Sequence, residues 1–111
     1  MLRKINPDDT FVEYICDQLG ALDGIGHRTM FGGYGLYCGS TFFGIVYRGK
    51  MYLKTDDTTR PKYESWGSEP FQANAKQTLR AYYLVPPDTI DDAETLFQLA
   101  EEAVDIARRP G

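Results

Sequence analysis

Thr41-Phe42-Phe43-Gly44-Ile45-Val46-Tyr47-Arg48-Gly49-Lys50-Met51-Tyr52-Leu53-Lys54-Thr55 is the stretch that decides the fold. Its first seven residues, rich in aromatic and β-branched side chains, read as a strand. Arg48-Gly49 is a tight turn and Lys50 to Thr55 the strand that returns. In the returning strand Met51 and Leu53 point one way while Lys50, Tyr52 and Lys54 point the other, because side chains alternate across a strand. This is the pattern of an antiparallel sheet with one face toward water.

Working upstream, Gly39-Ser40 reads as a two-residue hairpin loop that leads back to Tyr34–Cys38. Gly32-Gly33 separate that piece from another short strand, Arg28–Phe31. Before these, Phe11, Tyr14, Ile15, Leu19 and Leu22 recur at helical spacing on one face. Two helix starts compete: Asn6 as cap with Pro7 at the first helical position, or Thr10 as cap with Glu13 reaching back. Gly24 and Gly26 close this helix. Downstream, Asp57 or Thr58 caps a short helix carrying Tyr63 and Trp66, with Pro61 in its first turn and Gly67 at its end. Glu69 to Ala73 and Thr78 to Val85 form a second strand pair around Asn74-Ala75-Lys76, and Pro86-Pro87 stop the sheet. The last helix takes Asp91 as its cap, with Glu94 three residues on, and carries Leu96, Phe97, Ala100, Ala103, Val104 and Ala107. Arg108-Arg109 suit its carboxyl end, and Pro110-Gly111 terminate it. The order predicts an α+β fold: one domain over 1–111, a mostly antiparallel sheet, helices at both ends and one short middle helix.

The composition fits a folded domain. The 111 residues are 42% hydrophobic and 25% charged, with a net charge of −4, which excludes a disordered chain. No apolar run approaches the roughly 20 residues of a membrane span, and no apolar core follows the basic start to make a secretory signal. Cys16 and Cys38 form neither a disulfide framework nor a metal-ligand pair, so a cytoplasmic setting is expected. The charge is segregated. Residues 26–86 hold eight of the twelve basic residues, four of the sixteen acids and all aromatics except Phe11, Tyr14 and Phe97. Acidic ends therefore flank a basic, aromatic centre, a distribution that bears on partners.

Chemistry is sparse. His27 is the single histidine, placed by the sequence in a helix-to-strand loop without a nucleophile or acid pattern beside it. Asp8-Asp9, Asp56-Asp57 and Asp91-Asp92 all fall at predicted helix starts, where carboxylates relieve unpaired N–H groups. Gly44 to Lys50 satisfies G-x-x-x-x-G-K, but Met51 follows where a hydroxyl is needed and both flanks read as strands. Gly33-Tyr34-Gly35-Leu36-Tyr37-Cys38 breaks G-x-G-x-x-G at its last glycine. The expectation is a chain that is not an enzyme, with no cofactor, no metal and no catalytic residues.

The candidate partner-binding residues are Arg48, Lys50, Tyr52, Lys54, Arg80 and Tyr82. Lys50, Tyr52 and Lys54 share one face, and Arg80 and Tyr82 share a face opposite Leu79, Ala81, Tyr83 and Val85. Tyrosines between cations suit protein interfaces. They also suit base stacking with phosphate contact, although net acidity works against phosphate affinity. A third reading is a solvated sheet face whose lysines discourage edge pairing.

Five ordered blocks carry a family resemblance. Met30-Phe31-Gly32-Gly33-Tyr34-Gly35-Leu36-Tyr37, Phe42-Phe43-Gly44-Ile45-Val46, Met51-Tyr52-Leu53-Lys54-Thr55-Asp56, Gly67-Ser68-Glu69-Pro70-Phe71 and Tyr82-Tyr83-Leu84-Val85-Pro86 resemble the amino-terminal domain of the TfoX regulators of competence, from about Phe11 to Ala107. The resemblance implies a small α+β domain similar to the secretion-chaperone-like fold, standing alone without the carboxyl-terminal domain of full-length TfoX-type proteins. With the aromatic sheet, it implies a non-enzymatic regulatory or adaptor role through protein contacts, homodimerisation included; the alternative, a nucleic-acid-binding module, rests on the basic aromatic sheet face. It supplies no catalytic residues. No membrane partner is expected.

Overall fold

The computed structural model describes residues 7–30, 32–72 and 78–109. The chain runs α1 (Pro7–Gln18), β1 (Ile25–Met30), β2 (Gly33–Cys38), β3 (Thr41–Tyr47), β4 (Lys50–Lys54), α2 (Arg60–Ser65), β5 (Pro70–Gln72), β6 (Thr78–Leu84), α3 (Pro87–Ile90) and α4 (Ala93–Arg108). The six strands form one antiparallel sheet in the order β1-β2-β3-β4-β6-β5. This is the α+β domain that the order of elements predicts. Asn6, Phe31, Asn74-Ala75-Lys76 and Pro110-Gly111, on which some expectations rest, lie outside the described residues.

Both predicted two-residue hairpins form. Cys38 pairs with Thr41 around Gly39-Ser40, and Tyr47 pairs with Lys50 around Arg48-Gly49. Arg48 and Gly49 both have positive φ, 50° and 76°, the geometry whose twist matches the flanking strands. One irregularity sets the side-chain directions of β3. Leu36 pairs with Gly44 but Tyr37 pairs with Phe42, so Phe43 is an extra residue, a β-bulge. The bulge lets Phe43 and Val46 enter the main core while Phe42, Ile45 and Tyr47 pack on the other face.

The helices cover one face. Val12 and Ile15 of α1, Leu19 just past its end, and Leu96, Ala100, Ala103 and Val104 of α4 pack on Leu36, Phe43, Met51, Leu53 and Val85. Gly44 makes room: a Cβ there would stand 3.0 Å from both the Leu36 Cδ1 and the Tyr52 carbonyl oxygen. Lys62 pairs with Glu102 at 2.7 Å and Arg109 with Asp56 at 3.2 Å, fastening α2 and the turn before it to α4. At the same carboxyl end of α4, the Arg108 Nε donates to the Thr41 hydroxyl at 3.2 Å.

Several elements depart from the sequence reading. α1 starts at Pro7, so Thr10 lies inside the helix rather than capping it. Its buried stripe includes Val12, which the predicted set omits, whereas Tyr14 is 41% exposed and donates to Asp91 Oδ1 at 2.8 Å. The N-cap of the short helix is Thr59 rather than Asp57 or Thr58, and it makes no side-chain cap bond; Asp56 Oδ1 accepts from the N–H groups of Thr58 and Thr59 in the turn before it. Within it Tyr63 is buried, while Trp66 is 45% exposed with its ring against that of Tyr63. Pro86-Pro87 do end the sheet, but Pro87 also opens α3, because proline is preorganised for a first helical position. The cap of α4 is Asp92 rather than Asp91, its side chain accepting from the Thr95 N–H.

The Asp8 carboxylate is only 2% exposed. Its two oxygens accept the backbone N–H groups of Arg48 and Gly49 at 2.8 and 2.7 Å. The sequence reading assigned Asp8 to the α1 dipole; the structure makes it the anchor between α1 and the β3–β4 turn. Removing a charged acceptor from two part-buried turn donors costs about 1–3 kcal/mol. Asp8→Ala should lower the denaturation midpoint accordingly in urea titration, with the slope unchanged. Asp92 should behave differently. Bonds from Thr95, side chain first and then backbone, hold its carboxyl below the usual carboxylate range. Its contribution is therefore present above the ordinary carboxylate pKa and disappears as pH falls through the lowered folded value. Asp92→Ala should be less stable than the parent at pH 7, and the difference should close on acidification, as read by urea midpoints across that range.

Candidate partner-binding face

The sheet face away from α1 and α4 carries an aromatic layer. Tyr37 meets Phe42 at 5.4 Å between ring centroids, and Phe42 stacks on Tyr82 at 5.2 Å. Tyr47 and Tyr52 each meet the edge or face of Phe71, at 5.4 and 5.1 Å. Ile45 is buried among them, and Leu79 and Ala81 pack alongside. Gly35 leaves space for the layer: a Cβ there would come within 3.1 Å of the Phe42 ring. Such ring pairs favour tilted and edge-to-face arrangements because the quadrupoles of their faces and edges are opposite in sign.

Three cations lie over three of these tyrosines. The Arg28 guanidinium is 4.8 Å from the Tyr37 centroid, Arg48 is 5.2 Å from Tyr47, and the Lys54 ammonium is 5.2 Å from Tyr82. Each contributes about 0.5–1 kcal/mol at an exposed site and keeps its charge in water while its stem shields the ring. Arg48 does so from a backbone φ of 50°, a region that side chains other than glycine adopt at a cost.

Of the predicted residues, Arg48, Lys50, Tyr52, Lys54 and Tyr82 lie on this face or at its turn. Lys54 and Tyr82 come together, Tyr52 packs on Phe71, and Arg48 crowns the β3–β4 turn. Tyr82 is only 6% exposed. Burial pushes its hydroxyl up to about 12, with Tyr37 adding to the shift. Burial, then the nearby Glu69, raises Tyr52. Lys50 is exposed at the start of β4, and Arg80 is exposed on β6. Strict alternation fails on β6, where the pairing jumps from Pro70–Tyr83 to Phe71–Leu79. Leu79 and Ala81 consequently pack in the same cluster as Tyr82 and not opposite it. Sequence reasoning missed Arg28, Tyr37, Phe42 and Tyr47 as members of the face. The hairpin register through Gly35 was the available signal, since it aligns Arg28 with a residue lacking a side chain.

His27 lies on β1 rather than in a loop, exposed and edge-on to the Tyr34 ring at 5.0 Å. Tyr34 in turn donates to Asp9 Oδ1. Both cysteines are free thiols; Cys38 is buried, with its Sγ donating to the Asp23 carbonyl at 3.0 Å. Among the described residues no group of three or more His, Cys, Asp or Glu is placed to hold a metal ion, and no helix is long and apolar enough to cross a membrane. The G-x-x-x-x-G-K match falls on β3, the hairpin turn and β4.

The matched family agrees with this architecture. The family model of the TfoX N-terminal domain matches residues 17–107, from the last two residues of α1 to the last turn of α4. The chain belongs to the TfoX N-terminal domain family. No curated protein matches it.

Arg48→Gly tests the turn directly. It keeps the two N–H groups that Asp8 accepts and relieves the positive φ, but it also removes the Arg48–Tyr47 contact and loosens the unfolded chain, so stability should change by less than about 1 kcal/mol. Equilibrium urea unfolding measures this change.

Proposed function

We propose that the chain is a non-enzymatic regulatory or adaptor domain, acting in the cytoplasm through protein contacts made by the aromatic sheet face. The observation that carries this reading is the uncovered aromatic layer. Both faces of β3 are apolar, and the helices pack on only one of them. Phe42, Tyr47 and Tyr52 are left half-buried under their own neighbours and three cations. Tyrosine and arginine, rigid or forked and amphipathic, are the residue types that dominate interface energetics. Membership of the TfoX N-terminal domain family gives the regulatory sense of the proposal, with control of competence as the process to examine first.

A photo-crosslinking residue in place of Tyr37 or Lys50, both on this face, tests it in cells. The expected result is a discrete protein adduct, a second copy of the chain included, that disappears when Arg28→Glu and Lys54→Glu are combined in the crosslinking protein. Absence of any protein adduct from both positions would contradict the proposal.

The row of cations over tyrosines favours a second reading, a nucleic-acid-binding surface. Its aromatic rings, however, pack on each other, and Tyr82 lies beneath Phe42 and Lys54, which leaves few free π-faces for bases. The expected outcome is no mobility shift of single- or double-stranded DNA or RNA at low salt. A shift that falls steeply with salt and is weakened by Lys54→Glu would install the nucleic-acid reading instead.

A further inference from the structure

The two edges of the sheet are built differently. β5 is three residues long, begins at Pro70 and pairs irregularly with β6, features that discourage a further strand. β1 has none of them: its six residues, Ile25–Met30, pair with β2 without a register shift and include neither proline nor lysine. Its free backbone groups follow from the phase of the ladder. The Gly39 N–H donates to the Gly24 carbonyl at 2.9 Å, so Gly26, Arg28 and Met30 bond to β2, while Ile25, His27 and Thr29 turn their backbone groups outward. The Ile25 N–H is taken by the Leu22 carbonyl. The Ile25 carbonyl and both backbone groups of His27 and Thr29, two exposed residues, meet no partner among the described residues.

Side chains decide which strand fits this edge. Arg28 is exposed and lies over Tyr37 on the aromatic face, and Gly26, two residues earlier, is on the same face. A Cβ at Gly26 would meet nothing within 4 Å, so there is room for a long side chain from a neighbouring strand. A second β1, antiparallel and centred on His27, supplies one: each Arg28 falls opposite the other copy's Gly26, and each Ile25 opposite the other copy's Thr29. In that register the outward groups meet as hydrogen-bonded pairs, His27 with its own counterpart and the Thr29 N–H with the Ile25 carbonyl. Centring the pair on Arg28 would instead set two guanidinium groups directly opposite, which is destabilising. The fit of arginine to glycine is reciprocal, as a twofold interface requires. We infer that β1 pairs with β1 of a second copy about a twofold axis at His27, continuing the sheet through both molecules. The inference does not rest on the proposed role of the aromatic face.

Sedimentation equilibrium of the full chain, with amide chemical shifts followed on dilution, tests the inference. One strand edge buries less than the roughly 1,200 Å² of a stable interface, so the expected dissociation constant is on the order of 100 μM. The shifts should centre on Ile25, His27 and Thr29. Gly26→Glu sets a carboxylate opposite each Arg28 and should tighten the dimer about two- to tenfold, whereas Gly26→Lys should weaken it by about the same factor. Gly26 is outside the left-handed region, so neither substitution strains the backbone. His27→Pro removes an outward N–H but no bond to β2 and should abolish the dimer, with an unchanged amide spectrum away from β1 establishing that it folds. Where that variant does not fold, the opposite effects of the two Gly26 variants decide. A chain that stays monomeric up to about 1 mM would overturn the inference, leaving the edge to a strand of another protein or to water. A dimer whose shifts centre on Phe42 and Tyr47, a folded His27→Pro that still dimerises, or Gly26→Glu and Gly26→Lys changing affinity in the same direction would each overturn it as well.

Discussion

A central strand that is apolar on both sides must be covered on both sides, and this constraint organises the molecule. β3 sends Phe43 and Val46 into the core beneath α1 and α4, while Phe42, Ile45 and Tyr47 face the other way. The bulge at Phe43 makes that division possible, because it shifts the alternation by one residue within the strand. Helices supply cover for one face only. The second face is covered by its own aromatic residues, Tyr37, Tyr52, Phe71 and Tyr82 among them, and by the stems of Arg28, Arg48 and Lys54. A self-covered layer of this type is stable in water and still offers a wide amphipathic surface to a partner.

The same strand is tied to the start of the chain. The turn that ends β3 leaves two N–H groups directed at α1, and Asp8 accepts both. The first helix is thereby fixed against the hairpin before its apolar stripe of Val12, Ile15 and Leu19 is counted. At the opposite edge the Tyr63 hydroxyl is buried without a hydrogen-bond partner among the described residues, and burial raises it far above the ordinary phenol range. The contrast shows where polar groups secure the fold and where hydrophobic packing alone carries one.

Much of this was legible in the residues. Period-two alternation placed Met51 and Leu53 inward, the turn residues located both hairpins, and the stripes of α1 and α4 gave most of the helical core. What was not legible depends on distance along the chain or on choices between adjacent residues. Asp8 and Arg48 are forty positions apart, so nothing local distinguishes an anchor from a helix-dipole carboxylate. Asp91 and Asp92 are chemically identical, and only the backbone decides which one caps α4. The run Phe42-Phe43-Gly44 has no period, which hides the bulge, and the irregular pairing of β6 with β5 undoes the predicted separation of Leu79 and Ala81 from Tyr82. Of the candidate face, Tyr52, Lys54 and Tyr82 were legible. The contribution of β1 and β2 was not, because it arises from cross-strand register.

The TfoX N-terminal domain family thus has here a member whose sheet has two unlike faces: one builds the core and the other carries the self-packed aromatic layer proposed to meet a partner. Tyrosine-directed covalent footprinting, read by mass spectrometry, tests that division most directly by comparing the dilute purified protein with the protein inside cells. The account predicts that Tyr37, Tyr47 and Tyr52 react in the purified protein and are protected in cells, while Tyr14, exposed on the helical side, reacts in both. Equal reactivity of Tyr47 and Tyr52 in the two settings would contradict it.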